Sequence, residues 1–275
     1  MAKFEKMRIN LARLESAPLA DQGGGAGPKR GRSDHLVAAF SETRTFLHAR
    51  TQRRLSYEPI KAPAGYVGGI FKRERPVELH DESLEPYNAE NFESALVIVS
   101  VDSQQIAWVE INQRLGSSKL MLSSFLDHLL QKSEINDWRA HIEYFDNEAV
   151  YWNVIRERRA EIAKIVFTFV PPNALGAIDK VHAFVKEVQG EANPDSQQHV
   201  YRAEPGKMKP DTPLLTASAE IALSGAGEAE VRDGSNRILY SSARSRVISE
   251  VPDDELPTPV HPAFMGRLAS RLFGQ

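Results

Sequence analysis

The chain has 275 residues, of which 41% are hydrophobic and 26% are charged, and it contains no cysteine. This composition lies in the ordinary globular range, and the length allows one large domain or two small ones. The lack of cysteine excludes disulfides, thiolate nucleophiles and cysteine-based zinc sites. The formal net charge of −3 excludes a uniformly cationic chain that coats nucleic acid.

Neither a signal peptide nor a membrane span is indicated. Residues 1–15 alternate charged and short apolar side chains, whereas a signal peptide needs an unbroken apolar run. The longest apolar runs, such as residues 95–99, are far shorter than the roughly 20 residues that cross a bilayer. We therefore predict a cytoplasmic protein without a membrane span.

The N-terminal third predicts a strand, a loop and a helix. Apolar and charged residues alternate over residues 1–14, which is the two-residue period of a strand. Residues 16–33 are rich in Gly and Pro and hold too little apolar surface to order, so we expect a mobile loop. Asp34 is then a natural cap for a helix of about 35–51, in which apolar residues recur at helical spacing.

The middle of the chain predicts short strands, a hairpin and a long helix. Residues 55–60 and 65–73 are strand-like around a Pro/Gly turn, whereas 75–94 are acidic and irregular. Two β-rich runs, 95–101 and 105–112, are joined by three residues and predict a hairpin. A helix of about 118–132 follows.

Strands and helices continue to alternate in the second half. The predicted elements are strands at 139–145 and 164–170, helices at 147–161, 174–189, 211–223 and 262–273, and a hairpin over 227–242. On the strand at 139–145, His141 and Glu143 share the face that we assign to solvent.

This order of elements predicts an α+β fold with mixed, mostly antiparallel sheets built from hairpins and with helices packed on one face. We predict an N-terminal α+β domain over 1–134, which carries a basic loop and helix, and a C-terminal α+β domain over 135–275. One domain spanning both is the alternative.

Charge is distributed unevenly. Residues 1–75 contain 15 Lys/Arg and 7 Asp/Glu, a balance of +8, whereas residues 76–275 contain 19 and 30, a balance of −11. Such asymmetry can mark a basic binding surface on an acidic body, although a solvated helix face gives the same pattern. The candidate phosphate-binding residues are Lys29, Arg30, Arg32, Arg50, Arg53, Arg54, Lys72 and Arg73.

Two features add detail to this candidate surface. Arg50, Arg53 and Arg54 stand at i, i+3 and i+4, so a continuing helix would place them on one face. Tyr57, Tyr66 and Phe71 lie nearby in sequence and could stack on bases, since aromatic rings are the usual platforms for single strands. Their alternative role is in the core.

No complete catalytic or metal motif is present, so we predict no catalytic residue, no metal site and no cofactor. The Gly-rich stretch 23–33 lacks the glycine and lysine spacing of a phosphate loop. The eight histidines are scattered, and no Gly-x-Ser-x-Gly elbow occurs. The Pro-Asp pairs at 194–195 and 210–211 lack the Glu-x-Lys that a restriction-type nuclease would require.

The segment ALVIVSVDSQQIAWVEINQRLGSSKLMLSSFLDHLLQ (95–131) resembles the middle of RexA-type phage-exclusion proteins. Residues 162–188 and 227–242, IAKIVFTFVPPNALGAIDKVHAFVKEV and GEAEVRDGSNRILYSS, are similar to uncharacterised bacterial proteins of phage-defence loci. This resemblance rests on hydrophobic patterns over about residues 50–245. It implies a bacterial or phage intracellular protein that binds DNA with little sequence preference, as a homodimer, in exclusion or defence.

The leading hypothesis is therefore a non-enzymatic nucleic-acid-binding component of a phage-defence or exclusion system, which contacts phosphates through its N-terminal basic surface. Two alternatives stay open. One is a protein-interaction or scaffold subunit of a defence complex, and the other is a nuclease whose acidic residues meet only in the folded chain.

Overall fold

Most of the backbone forms strands that pair with antiparallel neighbours. The architecture is that of a computed structural model, which describes residues 1–13, 31–75, 77–80, 82–83, 86–89, 91–102, 104–132, 138–170, 187–188, 191–192, 194, 196–256 and 264–274. The first nine strands are β1 Ala2–Arg13, β2 Arg44–Leu47, β3 Arg54–Pro59, β4 Tyr66–Glu74, β5 Val77–His80, β6 Pro86–Ala89, β7 Phe92–Ser100, β8 Ile106–Glu110 and β9 Trp138–Tyr144. The later strands are β10 Ile162–Phe169, β11 Gln197–Arg202, β12 Gly227–Asp233, β13 Ile238–Ser241 and β14 Ile248–Val251.

Five α-helices lie in the described part of the chain. They are α1 Arg32–Phe40, α2 Ser118–Lys132, α3 Glu148–Glu157, α4 Pro213–Ile221 and α5 Phe264–Phe273. None of them is long and apolar enough to cross a bilayer.

The strands form one large sheet, one small sheet and a hairpin. The large sheet has the order β14-β1-β8-β7-β4-β3-β2, and β9 also pairs with β1. The small sheet has the order β11-β10-β12-β13, and β5 pairs with β6. All of these pairings are antiparallel. The predicted α+β class with mostly antiparallel sheets is confirmed.

The large sheet contributes to a separate core on each of its faces. Met7, Ile9 and Leu11 of β1 belong to the core that also contains buried residues of α1 and α2. Phe4, one position out of phase, belongs to the core formed with α5, because successive side chains of a strand point to opposite faces. Helix α5 thus adds cover on the second face, which the predicted one-sided placement of helices did not include.

A third core lies around the small sheet, between strands β10, β12 and β13 and helices α3 and α4. After α4, a π-helical turn at Ala222–Ala226 reaches the large sheet, where the Asn10 side-chain amide donates to the carbonyl of Gly225 at 2.8 Å. Gly225 has φ +82°, the left-handed conformation that a glycine commonly adopts where a helix ends.

The predicted domain boundary near residues 134–137 lies outside the described residues. Strands from both sides of it build the large sheet, because β9 and β14 pair with β1. The predicted loop 16–33 and the predicted helix 174–189 also fall largely outside the described ranges.

The predicted helix of about 35–51 is wrong in extent. Helix α1 ends at Phe40, and Phe46 and Leu47, which fitted a helical period, lie in β2. Pairing of β2 with β3 overrides that local pattern, since it satisfies the backbone and buries Phe46. The N-cap is Gly31, whose N–H donates to the Asp34 carboxylate at 3.3 Å, so Asp34 lies in the first turn and is not the cap.

Candidate nucleic-acid interface

Three strand ends meet at one end of the large sheet and bring basic residues together. Strand β4 lies between β3 and β7 and is antiparallel to both, so the start of β3, the end of β4 and the start of β7 adjoin. In this register Lys72 lies opposite Ser56 of β3, and Arg73 lies opposite Glu93 of β7. Arg54, the first residue of β3, lies at the same end.

A cavity of about 560 Å³ opens here, and we call it the basic cleft. Five of its ten lining residues are cationic and one is acidic. The lining residues are Thr45, Arg53, Arg54, Leu55, Ser56, Lys72, Arg73, Glu74, Arg75 and Phe92. A concave surface that concentrates one sign of charge raises the local concentration of ligands of the opposite sign.

Glu93 holds two arginines, Arg73 of β4 and Arg75 just after that strand. Its buried carboxylate accepts hydrogen bonds from Arg75 Nη1 at 2.7 Å and from Arg73 Nη2 at 2.6 Å, and Arg114 Nη1 lies 3.8 Å away. The hydrogen bond from Arg75 holds the pKa of Glu93 below its ordinary value, with the Arg73 charge acting in the same direction. One carboxylate therefore orients two cleft cations and leaves them with a net positive charge.

Arg53 and Arg54 differ from the other cations of the cleft. Lys72 forms an ion pair with Glu58, whereas neither Arg53 nor Arg54 has an ion pair to a carboxylate within the described ranges, and both are exposed. The five lining cations and the three carboxylates Glu58, Glu74 and Glu93 together carry a formal charge of +2. Arg53 and Arg54 thus carry cleft charge that no ion pair neutralises, in addition to the positive charge left on Arg73 and Arg75 by their shared partner Glu93.

The structure brings together four of the eight predicted phosphate-binding residues. Arg53, Arg54, Lys72 and Arg73 line the basic cleft, whereas Lys29 and Arg30 lie outside the described residues.

The other two predicted residues lie elsewhere. Arg50 is exposed in the β2–β3 connection and does not line the cleft. Arg32 begins α1, and its guanidinium lies 5.2 Å from the centre of the Trp138 ring. Burial lowers the pKa of Arg32. The predicted helical face of Arg50, Arg53 and Arg54 is wrong, because a turn and the start of β3 occupy that segment.

The aromatic neighbours of the cleft also differ from the sequence prediction. Tyr57 and Phe71 are fully buried in the core, and Tyr66 packs on Phe273 with ring centres 4.8 Å apart, so none of the three lines the cleft. The ring at the cleft is Phe92, whose surface is 52% exposed. The sequence signal for Phe92 was weak, since it lies within the stretch 75–94 that we predicted to be acidic and irregular. Only the pairing of Phe92 with Glu74 makes it the first residue of β7.

A second cavity of about 420 Å³, the side pocket, adjoins the basic cleft and shares Thr45 and Arg54 with it. Residues of edge strand β2, of the β2–β3 connection and of α2 form its walls. They are Thr45, Phe46, Leu47, Ala49, Gln52, Arg54, Ser124, Asp127 and His128. Burial raises the pKa of Asp127, and the positive charge of Arg139 opposes that effect.

A separate group of charges, the acidic cluster, lies where β9 of the large sheet approaches β12 of the small sheet. Glu143 is buried and accepts from Lys119 Nζ at 2.6 Å, and Glu228 lies 3.3 Å from the same nitrogen. The predicted solvent position of Glu143 is therefore wrong, because the turn after α4 and strand β12 pack near β9. Asp146 belongs to the same cluster, and burial, assisted by the charges of Glu228 and Glu143, raises its pKa to about 7.

Within the described ranges, no group of three or more His, Asp or Glu side chains is arranged to hold a metal ion. Comparisons of the chain with protein-family models, with curated proteins and with solved structures found no match.

Proposed function

We propose that this chain binds nucleic acid and that its basic cleft contacts the phosphates. The supporting observation is that Arg53 and Arg54, exposed and without an ion pair to a carboxylate in the described residues, open into one cavity with Lys72, Arg73 and Arg75. Arginine presents a planar fork of donors that matches phosphate oxygens, and it stays protonated at any physiological pH. Contacts of this kind hold a phosphate backbone without reading its sequence.

The proposed activity is binding without catalysis. Four of the five cations in the cleft lining are arginines, which orient and neutralise phosphates but do not exchange protons near neutral pH. Thr45 and Ser56 add hydroxyl groups that can donate to phosphate oxygens. We propose a role in phage exclusion or defence as the cellular setting, and the sequence resemblance is its whole basis.

A salt titration of binding tests the proposal. Binding of a fluorescent oligonucleotide is measured by anisotropy as a function of salt, because each neutralised phosphate releases counterions and contributes about −0.7 to the slope of log K against log salt for a single strand. The double variant Arg53→Ala/Arg54→Ala should weaken binding and make that slope shallower by about 1.4 if each arginine contacts one phosphate.

A matched variant controls for the loss of charge. Arg202→Ala/Arg244→Ala also removes two exposed arginines, but neither of them lines the cleft. We expect this variant to retain the parental slope. Absence of binding by the parent chain at low salt would overturn the proposal, as would an equal loss of affinity in the two double variants.

A further inference from the structure

We propose that the ligand of the basic cleft is single-stranded and that the side pocket receives one of its bases, with a preference for guanine. This inference depends on the proposed function. Its starting observation is that the two cavities meet at Thr45 and Arg54, so a phosphate held by Arg54 lies at the entrance of the side pocket. In a nucleotide the base and the phosphate are attached to the same sugar. An unpaired base can therefore enter a cavity that adjoins the site of its phosphate.

The two cavities differ in the chemistry of their walls. Of the five cations that line the basic cleft, four do not line the side pocket. The fifth, Arg54, lines both cavities. The side pocket instead combines the carboxylate of Asp127 with uncharged polar groups of Thr45, Gln52 and Ser124 and with apolar surface at Leu47. Polar groups that converge on a concave site fix the orientation of an uncharged ligand, such as a flat heterocycle.

A duplex cannot present a base to this pocket without breaking a pair. The pocket is a recess between edge strand β2 and helix α2, beside the core that contains Phe46. A base must leave its stack to reach such a recess, and in single strands this costs little. The exposed ring of Phe92 in the basic cleft provides a stacking surface for a neighbouring base.

Asp127 determines the base preference. Its side chain lines the pocket and makes no hydrogen bond within the described part of the chain, whereas the Gln52 amide donates to the carbonyl of Ala49 and the Ser124 hydroxyl donates to that of Leu120. An ionised carboxylate only accepts hydrogen bonds. Guanine presents two donors side by side on its Watson–Crick edge, N1–H and the N2 amino group, while the other bases present one donor group there.

Binding of oligothymidylates that differ at one central position tests the inference. The central residue is dT, dG, dA or an abasic site, and a duplex of the same length is included. We expect the dG strand to bind about tenfold more tightly than the all-dT strand, which is the discrimination usual for a bidentate base contact. We expect the duplex to bind more weakly than any strand that carries a central base.

Two variants separate the base pocket from the phosphate cleft. Asp127→Asn should lower the ratio of dG to dT affinity to about one, because an amide has a single acceptor oxygen and cannot accept both guanine protons in parallel. Asp254→Asn removes one exposed carboxylate elsewhere and should keep the preference. Leu47→Ala, at a position that is 52% exposed, should weaken strands with a central base more than the abasic strand.

The possible failures are distinguishable. Equal affinity for all single strands and for the duplex would overturn the base pocket and leave the phosphate cleft supported. A dG preference that persists in Asp127→Asn would overturn the role of Asp127. If no ligand binds, both the base pocket and the proposed function are wrong.

Discussion

Replacement of Asp146 by Asn should remove much of the pH dependence of stability between pH 5 and pH 8. Asp146 is 6% exposed and lies between the sheets, where its backbone N–H donates to the carbonyl of Leu223 at 3.0 Å. Burial of the carboxylate is the largest cause of its raised pKa, and Ser242 and Arg246 oppose the increase without cancelling it. The folded chain therefore favours the protonated acid, which an asparagine side chain mimics in shape and charge.

The expected magnitude follows from the two pKa values. The pKa of Asp146 is about 7 in the folded chain against an ordinary value of 3.8. Between these values the folded chain holds a proton that the unfolded chain has lost, so stability falls as pH rises through this window and levels off above pH 7. A tenfold change in proton affinity corresponds to about 1.4 kcal/mol, so the full effect is about 4 kcal/mol, of which about 3 kcal/mol falls between pH 5 and pH 8.

Urea unfolding at the two pH values measures the effect. Asp146→Asn should stabilise the chain relative to the parent by about 3 kcal/mol more at pH 8 than at pH 5. Asp254→Asn, which replaces an exposed carboxylate, should show no such difference. If the free-energy difference between Asp146→Asn and the parent is the same at both pH values, the carboxylate is ionised throughout and the argument from burial is wrong.

Two further substitutions test packing and charge. Gly225→Ala should destabilise the chain by about 3 kcal/mol in urea unfolding, since φ is +82° and an added Cβ would lie 2.9 Å from Arg8 Cβ. As a control, Gly274→Ala should destabilise it by only about 1 kcal/mol, because Gly274 has φ +72° but lies in open space. Glu93→Gln should lower the urea midpoint, because Arg73 loses its buried anionic partner, and should tighten oligonucleotide binding because the cleft gains a positive charge. Weaker oligonucleotide binding by Glu93→Gln would contradict the proposed role of the cleft.

Elements with strong local patterns were predicted well. Strand β1, the β7–β8 hairpin and helix α2 were each predicted to within a few residues. In β1 and α2 the apolar residues recur at the period of the element, whereas β7 and β8 are short continuous apolar runs. One face of each element is buried in a single core. Strands β2, β11 and β14 were not predicted, because each is only four to six residues long and lies at a sheet edge, where few buried side chains reveal a period.

The candidate site was likewise predicted in part from the sequence. Clustering of basic residues in sequence indicated that Arg53, Arg54, Lys72 and Arg73 belong together, and these four line one cleft. The same clustering included Arg32 and Arg50, which lie elsewhere, because proximity in sequence carries no information about which strand ends adjoin.

By itself the sequence determined the α+β class, the main strands and helices, and the concentration of positive charge near the N-terminus. Only the tertiary structure decided which cations share a cleft, that Phe92 and Asp127 line the adjoining cavities, and that Glu143 and Asp146 are buried. The physical reason is that periodicity arises from each element's own burial, whereas the register between strands distant in sequence arises from the packing of the whole chain.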